Sequence, residues 1–446
     1  MFSTTALRLA RLILASLALA VLIAPSISSA VPLYARQTGL NCASCHSGGQ
    51  YPELTRTGRE FKLMGYTMGN RQSIPLAAML QGGITKINNF NGSADPATDF
   101  AHDNSLQLQQ ASIFTGGKIL ETVGAFVQWT YNGIDHHSQM DNVDLRYADK
   151  TKVGGKNLIY GVSLNNNPSV QDVYNTTPAW KFPTAGPGGA FQGYGASTLI
   201  DGGLAQSVVG AGAYVDWNNL VYAELSGYKT ADGIFSFMRA GGDTVNNRFP
   251  LKGTNPYWRL AVHGDVGPHS WEAGAYGMHA DVYSDPIDSN SPVDRYKDRA
   301  LDAQYQYSEG KHRVTAQATW IHETIDWNAD AVANSVVSNN SDTLNTKRIK
   351  GSYFYNNKVG GSVAYFSTTG SQDAFHYAGN TSMTPDTSGY IMEVSYLPME
   401  EIRLALQYTA YNKFNGSSSN YDASGTFTDR NAKDNNTWFL STWFLF

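Results

Sequence analysis

The chain has 446 residues, a formal net charge of -5, 15% charged residues and two cysteines. A mildly acidic balance without a basic stripe argues against nucleic acid as a partner, and two cysteines inside one five-residue stretch leave no disulfide framework to stabilise the fold. With 43 glycines and 26 tyrosines, the composition is that of a β-rich chain.

Residues 1–30 read as an export signal, because Arg8 and Arg11 precede the apolar run Leu12 to Ile23 and Ser28-Ser29-Ala30 offers a small-residue cleavage site. The mature chain then begins at Val31, and loss of two arginines moves the balance from -5 to -7. An uncleaved anchor is the competing reading, but the run is shorter than the roughly 20 residues of a spanning helix.

Residues 31–75 form a small N-terminal unit, with Phe61, Met64 and Met68 at helical spacing after Arg56-Thr57-Gly58-Arg59. Its chemistry lies in Cys42-Ala43-Ser44-Cys45-His46, the attachment pattern of c-type haem. In that pattern two thiols form thioethers with the haem vinyl groups, and the adjacent imidazole becomes the proximal iron ligand. A structural zinc site lacks its second ligand pair, and a thioredoxin-like dithiol lacks its βαβ context. For the sixth ligand the order of preference is Met64, then Met68, with Met79 and His102 as further candidates; packing explains a methionine at helical spacing equally well.

From residue 76 the period falls to two. Val314, Ala316, Ala318 and Trp320 alternate with Arg313, Thr315, Gln317 and Thr319, and Ile402, Leu404, Leu406 and Tyr408 with Arg403, Gln407 and Thr409. Short turns near 118–121, 153–156, 217–219, 266–269, 308–311, 356–358 and 397–401 alternate with long polar stretches near 88–103, 132–141, 166–204, 230–255, 281–297, 324–342, 367–388 and 412–434. That rhythm, and a last segment with Trp438, Leu440, Phe444 and Phe446 on one face, predict an all-β fold. The expected form is an antiparallel outer-membrane β-barrel of about 16 strands over residues 76–446, carrying a small N-terminal c-type cytochrome head. A soluble sandwich or solenoid also alternates, but needs neither the loop asymmetry nor an aromatic final strand.

The residues around the motif resemble one known family, the fused outer-membrane cytochrome-porins, monohaem proteins associated with extracellular iron(II) oxidation. Ala30 to Gly39 leads into Cys42–His46, and Pro52, Leu54, Gly58-Arg59, Phe61-Lys62 and Gly65-Tyr66 follow as in that family, with Tyr34 where it usually shows Phe. The specific match covers residues 30–66; beyond them the likeness is one of architecture. It implies an oxidoreductase that takes electrons from extracellular Fe2+ through a single haem c and passes them to a periplasmic carrier such as a small cytochrome c. It also implies a head that occupies or caps the barrel.

A lone haem cannot bridge an apolar band roughly 25 Å tall, so either it sits within the lumen or the donor diffuses in. Asp135, His136, His137 and Asp141, and separately Asp281, Asp285 and Asp288, are candidate groups for attracting Fe2+, or plain solvated loop charge. Arg36, Arg59 and Lys62 could pair with haem propionates or dock the head. Two other function classes fit the same residues: a diffusion porin in which the haem plugs or gates, and a redox conduit for a donor other than iron.

Overall fold

The computed structural model describes residues 33–50, 52–89, 103–134, 136–168, 172–174, 196–240, 249–425 and 429–446. The export signal, Val31, His102 and Asp135 lie outside the described residues.

The two-residue alternation becomes, among the described residues, sixteen antiparallel strands, each bonded to the next and the last to the first. They are β1 (Leu76–Ile87), β2 (Leu106–Lys118), β3 (Val123–Asn132), β4 (His137–Val153), β5 (Lys156–Asn165), β6 (Val208–Trp217), β7 (Val221–Thr230) and β8 (Asn255–Val266). The second half comprises β9 (His269–Tyr283), β10 (Val293–Glu309), β11 (His312–Asp326), β12 (Ser341–Tyr355), β13 (Val359–Gly370), β14 (Thr387–Met399), β15 (Ile402–Lys413) and β16 (Thr437–Leu445). The closing seam runs from Met79 opposite Leu445 to Ile87 opposite Thr437, so no strand edge is left unpaired.

Alternation sorts the side chains by face. Leu301, Trp320, Leu404 and Leu440 point outward and are exposed, while their chain neighbours Asp302, Thr319, Arg403 and Ser441 point inward and are buried. A wall that is apolar outside, and whose strands are paired on both sides in a closed ladder, is stable in lipid rather than water. Every short turn predicted from sequence lies at one end of the barrel. At the β12–β13 turn, for example, Asn356 and Asn357 take φ of 55° and 53°, left-handed values that let three residues reverse the chain between Tyr355 and Val359.

Two expectations change. The long loop near 132–141 is a tight connection, since β3 reaches Asn132 and β4 starts at His137. His137-Ser138-Gln139-Met140-Asp141 is polar on both faces, and a register shift at Gln128 and Trp129 interrupts the alternation that marks a strand. The N-terminal unit holds three short helices rather than one: α1 (Leu33–Thr38), α2 (Cys42–Cys45) and α3 (Arg56–Leu63). The third stops before Met68 because Gly65 and Tyr66 turn left-handed, with φ of 64° and 63°.

The N-terminal unit lies inside the lumen at the short-turn end. The Arg59 guanidinium holds Asp265 of β8 at 2.9 Å, Lys350 of β12 pairs with Glu53, Tyr66 donates to Asp144 of β4 at 2.5 Å, and Tyr214 of β6 donates to the Leu63 carbonyl at 2.7 Å. Nearer the long-loop end a second inward segment fills the lumen, where Leu199, Ile200 and Leu204 are at most 3% exposed. Its backbone amides at Leu199 and Ile200 donate to Glu323 of β11 and Asp298 of β10 at 2.5 and 2.9 Å.

Candidate functional site

The cysteine motif is held by capping. Asn41 caps α2 by accepting from the Ser44 amide at 3.0 Å. Thr55 caps α3 by accepting from Gly58 at 3.3 Å, and its hydroxyl donates to the Ser44 carbonyl at 2.6 Å. Each such cap contributes about 1 kcal/mol. Gly58 lets α3 lie directly on α2, for a Cβ there would collide with the Cys45 carbonyl. On the wall, a Cβ at Gly124 of β3 would collide with the Gly65 carbonyl, so both glycines are contact points of the seat.

Cys42 and Cys45 are half-buried and unbridged. Burial, with Glu400 and Glu401 nearby, pushes the Cys42 thiol up to about 12, and burial also raises Cys45. Both are therefore neutral thiols rather than exposed thiolates open to oxidation. The Cys42 amide donates to the Glu400 carboxylate at 3.3 Å, which places the motif beside the β14–β15 turn at the short-turn mouth.

From that mouth a cavity of about 430 Å³ runs up between the N-terminal unit and the wall made by β1–β4 and β16. Cys42, Cys45 and His46 line it on one side, Met79, Phe114, Phe126, Trp443 and Leu445 on the other, and Gln110, Gln128, Asp141 and Asn142 at its upper end. Mostly apolar lining with a few convergent polar groups, at a size between about 300 and 1,000 Å³, is the form of a cofactor site. The residues present fit a covalently held haem: two thiols and an imidazole on one side, and aromatic groups to cover the macrocycle.

The methionines separate. Met64 packs against the cluster containing Leu63, Tyr174 and Tyr214. Met68 is half-buried, and its carbonyl accepts from the Gln37 amide at 2.8 Å. Neither lines the cavity, whereas Met79 does, with its sulfur 3.5 Å from the Gln81 amide nitrogen.

The basic residues dock the unit: Arg59 on Asp265, Arg36 on the Leu76 carbonyl, and Lys62 on the Asp172 carbonyl at 2.7 Å. Gln37 ties the unit to itself and to the wall. Its amide donates to the Tyr66 and Met68 carbonyls, and its oxygen accepts from the Lys118 amide of β2 at 2.9 Å. No sequence pattern marks a glutamine for that role.

Among the described acidic loop candidates, Asp141 alone lines the cavity. Asp281 pairs with Arg295 at 3.2 Å, Asp285 and Asp288 accept from amides of their own turn, His136 sits in the β3–β4 turn and His137 begins β4.

Burial lowers the Lys62 ammonium to about 7 from its ordinary 10.5. Between those values Lys62 is neutral when folded and protonated when unfolded, so stability rises with pH across the window and is flat below it. The unfolding midpoint of the protein is expected to climb as pH increases through this range, and Lys62→Met is expected to flatten that climb; parallel profiles would show that Lys62 is charged in the folded state.

No protein-family model matches the chain, and no curated protein matches it. Among solved structures it is similar to OmpT, an outer membrane protein of Vibrio cholerae, at 10% identity and a TM-score of 0.43 over 83% of this chain and 96% of that one. An anion-selective porin from Comamonas acidovorans gives 12%, 0.45, 83% and 98%. The outer membrane channel DcaP of Acinetobacter baumannii gives 11%, 0.46, 83% and 96%. These are distant likenesses; the barrel stands on its own register of paired strands.

Proposed function

We propose that this chain is an outer-membrane electron-transfer protein that oxidises extracellular Fe2+ by way of one c-type haem held at Cys42, Cys45 and His46. The observation that carries the reading is the cavity joining that motif at the short-turn mouth to oxygen-bearing side chains higher in the lumen. The net reaction moves one electron: Fe2+ becomes Fe3+, and an oxidised periplasmic carrier becomes reduced.

Cys42 and Cys45 would hold the group by thioethers, and His46 and Met79 would be the residues that ligate its iron. A haem bound there supplies one-electron redox chemistry. Phe114, Phe126 and Trp443 give the cavity an apolar wall, which together with a thioether ligand favours a high potential. Asp141 and the side-chain amides beside it offer oxygen donors to a hard cation at the upper end of the cavity. Buried Arg59, Leu199, Ile200 and Leu204 fill lumen space that a diffusion porin leaves to water, which favours electron transfer over solute passage.

The test is anaerobic addition of Fe2+ to purified holo-protein in liposomes, with growth of the reduced haem bands as the expected result. No reduction by Fe2+, with reduction by a sulfur donor or with solute flux instead, would overturn the iron assignment. The ligand assignment has its own readout. Met79→Ala is expected to abolish the thioether-to-iron charge-transfer band of the ferric protein and lower the haem potential, whereas Met64→Leu and Met68→Leu leave both unchanged; a band surviving in Met79→Ala excludes Met79.

A further inference from the structure

The outer wall over β9–β12 breaks the apolar pattern at one height. Arg295, Lys297 and Arg299 follow one another at two-residue spacing on the outward face of β10, and Lys347 is exposed on β12. The strand register puts Arg299 beside His322, and Leu301, Trp320 and Lys347 in one row across three strands. Toward the short-turn end the same face is Leu301, Trp320 and Ile349, which are 54, 39 and 61% exposed. The cations thus stand where the apolar belt gives way to polar side chains at the long-loop end. In an outer-membrane barrel that end faces outward.

Two carboxylates share the patch. Asp281 lies 3.2 Å from Arg295, and Asp326 lies 2.7 Å from Lys297. The side chains of Arg299 and Lys347 make no hydrogen bond or ion pair among the described residues and lie nearest the belt. A cation on the lipid face is costly toward mid-bilayer and costs little near the surface, so these two side chains gain most from an anion at headgroup depth. Across the barrel, the outward faces of β14 and β16 carry Tyr390, Met392, Trp438 and Leu440 and no such cluster.

We infer that this face is a docking site for a phosphorylated, multiply acylated glycolipid of the outer leaflet. Arg299 and Lys347 bind its phosphates, Arg295 and Lys297 extend the positive surface, and Leu301, Trp320 and Ile349 support its acyl chains. The inference rests on the outer-membrane placement and not on the haem.

The test titrates the full-length protein in detergent with purified lipopolysaccharide, and with the same material after removal of its lipid phosphates, reading bound lipid by native mass spectrometry. Two surface cations at about 1 kcal/mol each correspond to a weakening on the order of thirtyfold for Arg299→Gln with Lys347→Gln. Arg299→Lys with Lys347→Arg is expected to retain binding. Heat-dependent gel mobility verifies that each variant is assembled, and Lys347→Gln alone serves if the pair is not. Equal binding of the dephosphorylated glycolipid, or affinity unchanged by the charge-removing pair, overturns the inference. So does a loss of binding accompanied by a change in oligomeric state, which would make the face a contact between copies of this chain.

Discussion

Replacing Cys42 and Cys45 together with alanine is expected to take covalently bound haem from one per chain to none, read as the peroxidase-active band on a denaturing gel. Each thioether survives denaturation, whereas an imidazole ligand alone does not, so the band reports the two sulfurs rather than His46. The barrel itself should assemble, because its strand ladder and the Arg59–Asp265 pair touch neither sulfur. A wild-type protein without the band, or with zinc in its place, would end the haem reading; a variant that keeps the band would move the attachment elsewhere. His46→Ala separates attachment from ligation, since it is expected to spare the thioethers while changing the spin state of the iron.

Arg59→Ala is expected to loosen the N-terminal unit in the lumen by about 3–5 kcal/mol, the usual cost of removing one partner of a buried ion pair. The guanidinium donates to Asp265 at 2.9 Å, to the Leu54 carbonyl at 3.0 Å and to Gln306 at 3.2 Å, so one truncation leaves three groups of the seat short of a donor. The remaining cation near Asp265, Arg56, lies 3.6 Å away with its side chain 63% exposed, and a solvated pair replaces little of the loss. Unseating of residues 33–72 would appear as protease cleavage in that segment and as ion conductance across a planar bilayer. Pairing Arg59→Met with Asp265→Asn should restore much of the protection, since a buried ion pair can be replaced by apolar and neutral groups at small cost. Protection and conductance unchanged in Arg59→Ala would mean that Glu53–Lys350 and the hydrogen bonds of Tyr66 and Tyr214 hold the unit without it.

The strands were legible because outward residues in lipid must be apolar and the side-chain period of a strand is two, a constraint that acts locally at every position. Turn positions were legible for the same reason, since Asn356-Asn357 can take left-handed φ where most residues cannot. The contents of the lumen were not. Inward arginines such as Arg146, Arg259 and Arg403 occupy polar positions of the alternation, yet they are at most 1% exposed. A polar lumen looks the same in sequence whether water or protein fills it. The helix over Arg56–Leu63 was visible, but its end depends on two left-handed residues, one of them a tyrosine stacked on Tyr34 with ring centroids 5.7 Å apart. That contact is not local, and it turns the chain before Met68. Met79 joins the cavity only because β1 is curled against β16 and β2, which brings it near Trp443 and Phe114.

The closed seam between β1 and β16 also limits the routes of assembly. Residues 33–72 are enclosed by strands from both halves of the chain, among them β4, β6, β8 and β12. A finished ring has no gap through which this segment and an attached group could be threaded sideways. Biogenesis must therefore seat the N-terminal unit either end-on through the short-turn mouth, where the Cys42 amide meets Glu400, or while the first and last strands zip together.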